Sequence, residues 1–147
     1  MEYEIRSFRH GKLILENDLK YKDTWKKLLK TIDDITDKEI QIAHKSYKTP
    51  PKGLARALNK VLKKKIPKNW KRESQIFNDK GYTNKSWKLD FSHETISLEV
   101  AFNHGEAIAW NLLKPVIASE LNHVEKEIQT DVGSDLCYQG IKDCRRF

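Results

Sequence analysis

Trp87-Lys88-Leu89-Asp90-Phe91-Ser92-His93-Glu94-Thr95-Ile96-Ser97-Leu98-Glu99-Val100-Ala101-Phe102-Asn103 carries more of the architecture than any other stretch of the chain. Its apolar residues recur at every second position. Trp87, Leu89 and Phe91 fall on one face, with Lys88 and Asp90 opposite. Ile96, Leu98, Val100 and Phe102 share a face, with Ser97, Glu99, Ala101 and Asn103 opposite. A period of two belongs to a β-strand, whose successive side chains point to opposite faces. The polar connection Ser92-His93-Glu94-Thr95 is short enough to join the two runs as an antiparallel hairpin. With Phe91 set opposite Ile96, Asp90 faces Ser97 and Glu99 is its diagonal neighbour, the Cα atoms roughly 7–8 Å apart. Two carboxylates so placed can converge on one divalent cation. Two acids on a solvated hairpin face are the plainer reading of the same spacing.

Outward from this hairpin the period becomes helical. Downstream, residues 105–127 carry Ile108, Leu112, Leu113, Val116, Ile117, Leu121 and Val124, a long helical stretch that Pro115 is expected to kink or divide. Upstream, Met1 to Leu15 suits a strand or an irregular entry. Asp23 or Thr24 is placed to cap a helix bearing Trp25, Leu28, Leu29 and Ile32. Thr36 with Glu39 is a capping-box pattern opening a second helix. After Pro50 and Pro51 a third helix sets Leu54, Leu58, Leu62 and Ile66 against Arg56, Lys60, Lys63 and Lys64, and Pro67 ends it. Asn69 is placed to cap a fourth, with Trp70, Glu73 and Phe77 in one stripe at i, i+3 and i+7. On that stripe Glu73 either reaches the rim or points into a functional cavity. Helices around an acid-bearing sheet make an α/β fold.

At 147 residues the chain suits one domain. No run approaches the ~18 uncharged residues of a membrane helix, and the charged N-terminus has no signal-like apolar core. Cys137 and Cys144 give no disulfide or metal framework. A cytoplasmic protein is the expectation. The net charge of +7 is unevenly distributed: Lys45 to Lys88 holds 14 basic residues against Glu73 and Asp79, while the rest of the chain sums to −5. Such a concentration fits a polyanionic partner, or simply a solvated lysine-rich surface. It does not separate DNA from RNA.

Beyond these patterns, Leu89-Asp90-Phe91, Ile96-Ser97-Leu98-Glu99-Val100-Ala101-Phe102-Asn103-His104, Trp110-Asn111-Leu112-Leu113-Lys114-Pro115 and Ala118-Ser119-Glu120-Leu121-Asn122-His123-Val124-Glu125-Lys126 resemble the BglII-type (BglII/BstYI-like) restriction endonucleases of the PD-(D/E)XK nuclease superfamily. The close match runs from Trp70 to Gly133, and the earlier helices fit loosely. The resemblance implies a restriction-endonuclease-like core, helices flanking a small mixed sheet. It implies a Mg²⁺-dependent homodimer that hydrolyses double-stranded DNA at a short palindromic site within a restriction–modification system. Asp90 resembles the first metal-binding acid, Glu99 the second, and Glu73 a helix-borne acid that some relatives add behind the metal. The superfamily usually has Lys two residues after the second acid, and the resemblance allows Glu or Gln there in this subgroup, where this chain has Ala101. Asn103 on the same face takes over part of that role, or a bound water does, or the site is inert. His93, with Glu94 in the hairpin loop, reads as exposed, and His104 and His123 read as structural, since no third ligand supports a metal pair.

The resemblance stops at Gly133, so the expected domain is 1–133 with a non-matching tail at 134–147. Ser134 to Cys144 alternates poorly and looks unlike a core strand. Back-translated and shifted by one base it reads VICATKELKTA, an apolar strand and a helix start, so the tail is expected to be out of frame and the core incomplete. Two other readings stand beside the nuclease: a catalytically inactive, truncated DNA-binding remnant, and an RNA-binding or protein-interaction module using the basic 45–88 region.

Overall fold

The computed structural model describes residues 3–5, 7, 10–49, 51–78, 81, 87–101, 105–120 and 125–137. Among them are five helices and a four-stranded mixed sheet. The helices are α1 (Gly11–Asn17), α2 (Lys22–Asp33), α3 (Asp37–Lys45), α4 (Ala55–Lys65) and α5 (Gly105–Glu120). The strands are β1 (Lys71–Gln75), β2 (Lys88–Ser92), β3 (Ile96–Ala101) and β4 (Val132–Cys137), in the order β1-β2-β3-β4. The pairs β1–β2 and β2–β3 are antiparallel, and β3–β4 is parallel. This is the α/β, restriction-endonuclease-like arrangement expected of the sequence.

Apolar burial divides the molecule into two clusters. In the larger, Trp25, Leu28 and Ile32 of α2, Ile40 of α3 and Leu58, Val61 and Leu62 of α4 pack with Ile96, Leu98 and Val100 of β3 and Leu136 of β4. The smaller gathers Ile76, Phe77, Leu89, Ala118 and Ile128, with Trp87 and Ile117 against it. Local chemistry fixes the element ends. The side chain of Thr36 accepts from the Glu39 N–H while the Glu39 carboxylate accepts from the Thr36 N–H, satisfying two otherwise unpaired donors at the start of α3. Ile66, held extended (ψ 138°) ahead of Pro67, stops α4.

Several elements differ from the expectation. The entry is helical in part: α1 buries only Leu15 and leaves Leu13 and Ile14 exposed. Helix α2 starts at Lys22 with Tyr21 at its N-cap, so neither Asp23 nor Thr24 caps it. The fourth helix is not formed. Residues 71–75 are instead strand β1, because β2 takes them as an edge partner: Lys71 pairs with Ser92, Arg72 with Phe91, Ser74 with Leu89 and Gln75 with Lys88. The Ser74 and Ser92 hydroxyls hydrogen-bond at 2.8 Å within the buried sheet. Over its described span, Gly105–Glu120, helix α5 continues through Pro115 undivided, and residues 125–127 are not helical. The segment read as unlike a core strand supplies β4 through Cys137, and residues 138–147 lie outside those described.

Proline 115 has a specific neighbour. Gly133 of β4 runs directly under it, and a Cβ at position 133 would overlap the Pro115 ring. The absence of a side chain at 133 is what lets α5 lie against the sheet. Gly133→Ala is therefore expected to cost about 1–3 kcal/mol, whereas Gly53→Ala, with nothing within 4 Å of the added atom, serves as a near-neutral control. Urea unfolding of both variants measures this, and equal midpoints would show that the helix is not held so closely.

Candidate active site

The hairpin turn sets the geometry of the acids. The His93 N–H donates to the Ile96 carbonyl at 2.8 Å, so the loop is the two residues Glu94 and Thr95 rather than four. Phe91 consequently pairs with Leu98 and Ser92 with Ser97. The register differs by two residues from that expected. A shift of two preserves the faces but moves Asp90 from opposite Ser97 to opposite Glu99. The two acids are direct cross-strand neighbours.

At this position the side chains take over the ladder. The Asp90 N–H donates to Glu99 Oε1 at 3.1 Å, and the Val100 N–H donates to Asp90 Oδ2 at 2.9 Å. Asn59 Nδ2 of α4 lies 3.4 Å from the same Asp90 oxygen. Main-chain donors thus hold both carboxylates where they are. Glu99 is 1% exposed, and its Oε2 accepts from Lys114 Nζ of α5 at 2.5 Å. That ammonium also donates to the Lys88 carbonyl at 3.1 Å. On the other side of β3 the parallel register sets Asp135 of β4 beside Glu99, and Asp135 Oδ1 is buried without a hydrogen-bond partner. Three carboxylates therefore stand on neighbouring positions of β2, β3 and β4, with one ammonium among them.

Burial raises the Glu99 carboxyl to about 7; Lys114 opposes the rise and Asp90 adds to it. Burial likewise raises Asp135 to about 6 against the pull of Lys114. Mg²⁺ takes hard oxygen donors and is commonly held by one or two carboxylates completed by water and phosphate. The facing oxygens of Asp90 and Glu99 fit that donor set. Among the described residues no three His, Cys, Asp or Glu side chains are gathered closely enough to hold a metal by themselves.

The other sequence candidates fare differently. Glu73 is not helix-borne. It lies on β1, where the register on either side puts it opposite Asp90, but its φ of 51° interrupts the ladder there. A left-handed conformation costs a non-glycine residue about 1–2 kcal/mol. Its carboxylate is 58% exposed and pairs with Lys63 of α4. The structure does not bring it into the group around Glu99. Asn103 lies outside the described residues, as do His104 and His123. His93 is half-buried rather than exposed: its Nε2 lies 3.0 Å from Asn69 Nδ2 and its ring sits tilted against that of Trp70, the centroids 5.6 Å apart. Lys114 and Asp135 were missed by sequence reasoning. The signal for Lys114 was present, because it is the single charged residue between Glu106 and Glu120.

In metal-free protein the Glu99 shift has a defined sign. Its folded pKa of about 7 lies above the ordinary 4.5, so the folded chain holds an extra proton between those values. Stability then falls as pH rises through that window, by on the order of 3 kcal/mol, and levels off above it. Asp135 adds a slope of the same sign between 3.8 and about 6. The melting temperature in EDTA from pH 4.5 to 8 is expected to drop more steeply for the native chain than for Glu99→Gln. Parallel curves would remove Glu99 as the source.

A family model described as restriction endonuclease BglII/BglIII matches residues 3–133. No curated protein and no solved structure matches the chain. The matched segment contains α1 to α5, the β2–β3 hairpin with Asp90 and Glu99, and the start of β4. The chain belongs to the BglII/BglIII restriction endonuclease family.

Proposed function

We propose that this chain is a Mg²⁺-dependent type II endonuclease that hydrolyses phosphodiester bonds of double-stranded DNA at a short palindromic site, acting as a homodimer in the cytoplasm. The observation that carries the reading is the pair of acids Asp90 and Glu99, bonded across β2 and β3, within a chain of this family. These two residues would hold the cation, and Asn103 remains the candidate that the sequence alone offers for a supporting polar role. When bound, the cation polarises the scissile phosphoryl group and makes a bound water acidic enough to attack.

The chain's own groups prepare for this. Asn59 and the Val100 N–H fix Asp90, and the Asp90 N–H and Lys114 fix Glu99, so neither carboxylate needs to search for its position. Lys45, Lys48, Lys52, Arg56, Lys64, Lys68, Lys71 and Arg72 are exposed and supply a surface for the phosphate backbone. Other cations of the basic segment are engaged within the chain: Lys63 with Glu73, Lys65 with Glu39, and Lys60 with Ser46 and the Tyr47 ring. Leu112, Leu113 and Val116 expose apolar surface on α5, which suits burial against a second copy. Symmetry gives the same answer, because a two-fold site is matched by a two-fold protein. No described helix is long and apolar enough to cross a membrane.

The test is a mixed-sequence plasmid incubated with the protein in Mg²⁺ and in EDTA, beside Asp90→Ala. Discrete fragments that require the metal are expected, with Asp90→Ala slower by about 100-fold or more, given the several kcal/mol that such a cation supplies. Duplex binding that is equal in EDTA, with no cleavage by folded protein, would replace this reading with the inert DNA-binding remnant to which Ala101 points. A preference for single-stranded RNA would replace it with the third reading.

A further inference from the structure

Glu73 is out of place in two respects. It is an acid inside a segment, Lys45 to Lys88, that holds 14 basic residues and one other acid, Asp79. It also has a φ of 51°, a left-handed conformation, in the middle of strand β1. Residues on either side of it pair regularly with β2, so the register sets it opposite Asp90, where the ladder is interrupted. Its carboxylate reaches Lys63 of α4, and both side chains are open to solvent, Lys63 at 40% and Glu73 at 58% exposure. An exposed ion pair of this kind contributes less to stability than a left-handed backbone costs. Strain that the folded state does not need for its stability marks a position with another use.

Helix α4 gives Lys63 the same address. Lys63 lies one turn beyond Asn59 on the same helix face, and Asn59 Nδ2 is 3.4 Å from Asp90 Oδ2. Strand register and helix period therefore place the Lys63–Glu73 pair beside Asp90 by independent routes. Exposed cations continue outward from the pair: Lys64 follows Lys63, and Lys71 and Arg72 precede Glu73. A positive surface that extends around one carboxylate suits a run of phosphates rather than a single small anion.

We propose that Lys63 is a phosphate-binding group for duplex DNA at the edge of the acid site, and that Glu73 is its built-in occupant, a carboxylate that fills the place of a phosphate until the duplex displaces it. The inference rests on the duplex partner of the nuclease reading and on none of its hydrolytic steps. Carboxylate and phosphate oxygens are alternative acceptors for one ammonium, so the Lys63 charge is paired before and after the exchange. The displaced carboxylate faces water, and no buried group has to move. A loosely docked duplex that brings no phosphate to Lys63 gains nothing from that charge.

The experiment measures binding of a short mixed-sequence duplex to the full-length chain in EDTA, by fluorescence anisotropy over a range of salt concentrations. The proteins are the native chain, Glu73→Gln, Lys63→Met and the double variant. Glu16→Gln in α1 makes the same change in net charge and is the control, and circular dichroism checks the fold of each. At low salt Glu73→Gln is expected to bind about three- to fivefold tighter than the native chain, the range of an exposed ion pair, with Glu16→Gln little changed. Lys63→Met should lower the slope of log affinity against log salt by about one. Its cost in affinity should be about three- to fivefold larger in the Glu73→Gln chain than in the native chain, because only the native lysine must first leave a partner. Glu73→Gly, which suits a φ of 51°, should bind as Glu73→Gln does and unfold at no lower urea concentration. The proposal is overturned by equal affinities of Glu73→Gln and Glu16→Gln, or by equal costs of Lys63→Met in the two backgrounds. A lower urea midpoint for Glu73→Gly would make the pair a structural brace and overturn it too. Failure of every protein in the set to bind the duplex, or tighter binding of single-stranded RNA, would overturn the nuclease reading and the proposal with it.

Discussion

A carboxylate as deeply buried as Glu99 must either meet a cation or give up its charge, and much of this structure follows from meeting one. Taking a carboxylate and an ammonium out of water costs several kcal/mol for each, and only close contact with further hydrogen bonds offsets it. Glu99 has that contact in Lys114 and a further bond from the Asp90 N–H. The ammonium must come from an element lying on the sheet, so α5 is drawn down onto β3 and β4. That approach in turn requires a residue without a side chain below Pro115, which is Gly133. On the other side of the sheet, Ile96, Leu98 and Val100 are held by α2 and α4 through ordinary apolar packing. One face of β3 is thus fastened by charge and the other by area.

The ladder between β2 and β3 shows how the acids are tolerated inside a sheet. Buried main-chain donors must be paired. Beyond Phe91–Leu98 the donors of Asp90 and Val100 turn to carboxylate oxygens on the facing strand. The main chain remains satisfied while the acids are gripped by it. A carboxylate accepts from several directions, so an incoming ligand can engage free lone pairs without first dismantling the sheet.

What could be read from the sequence follows the range of each signal. Alternation in 87–103 is local and strong, and it delivered both strands and the shared face of Asp90 and Glu99. The register needed the loop length, and a four-residue polar segment does not reveal that His93 and Ile96 will pair. The parity survived because the error was an even number. Trp70, Glu73 and Phe77 have helical spacing, but the demand of β2 for a neighbour is a tertiary constraint that local pattern does not carry. Thr36 and Glu39 form their capping box within four residues, and their reading held. Lys114 lies 15 residues from Glu99, and nothing in the pattern of α5 says what its one basic residue faces. Asp135 is on a strand whose alternation is poor because its partner β3, rather than its own apolar content, makes it a strand.

The distribution of charge gives the site a further logic. The exposed cations of the 45–88 segment attract a polyanion, and α4, which carries part of them, touches Asp90 through Asn59. The sheet beneath presents Asp90, Glu99 and Asp135, which repel the same polyanion, and a single ammonium offsets only part of their charge. Burial is the main cause of the raised pKa values of Glu99 and Asp135, and the neighbouring charge of Asp90 adds to the rise at Glu99. A phosphate drawn in by the surface would therefore meet an uncompensated negative site unless another cation stood between them. Two positive charges at Asp90 and Glu99 would reconcile the surface with the sheet, and this is the physical sense in which the arrangement calls for a divalent ion. Until such an ion is present, Lys114 supplies from α5 the charge that makes the buried carboxylate of Glu99 tolerable in the folded sheet.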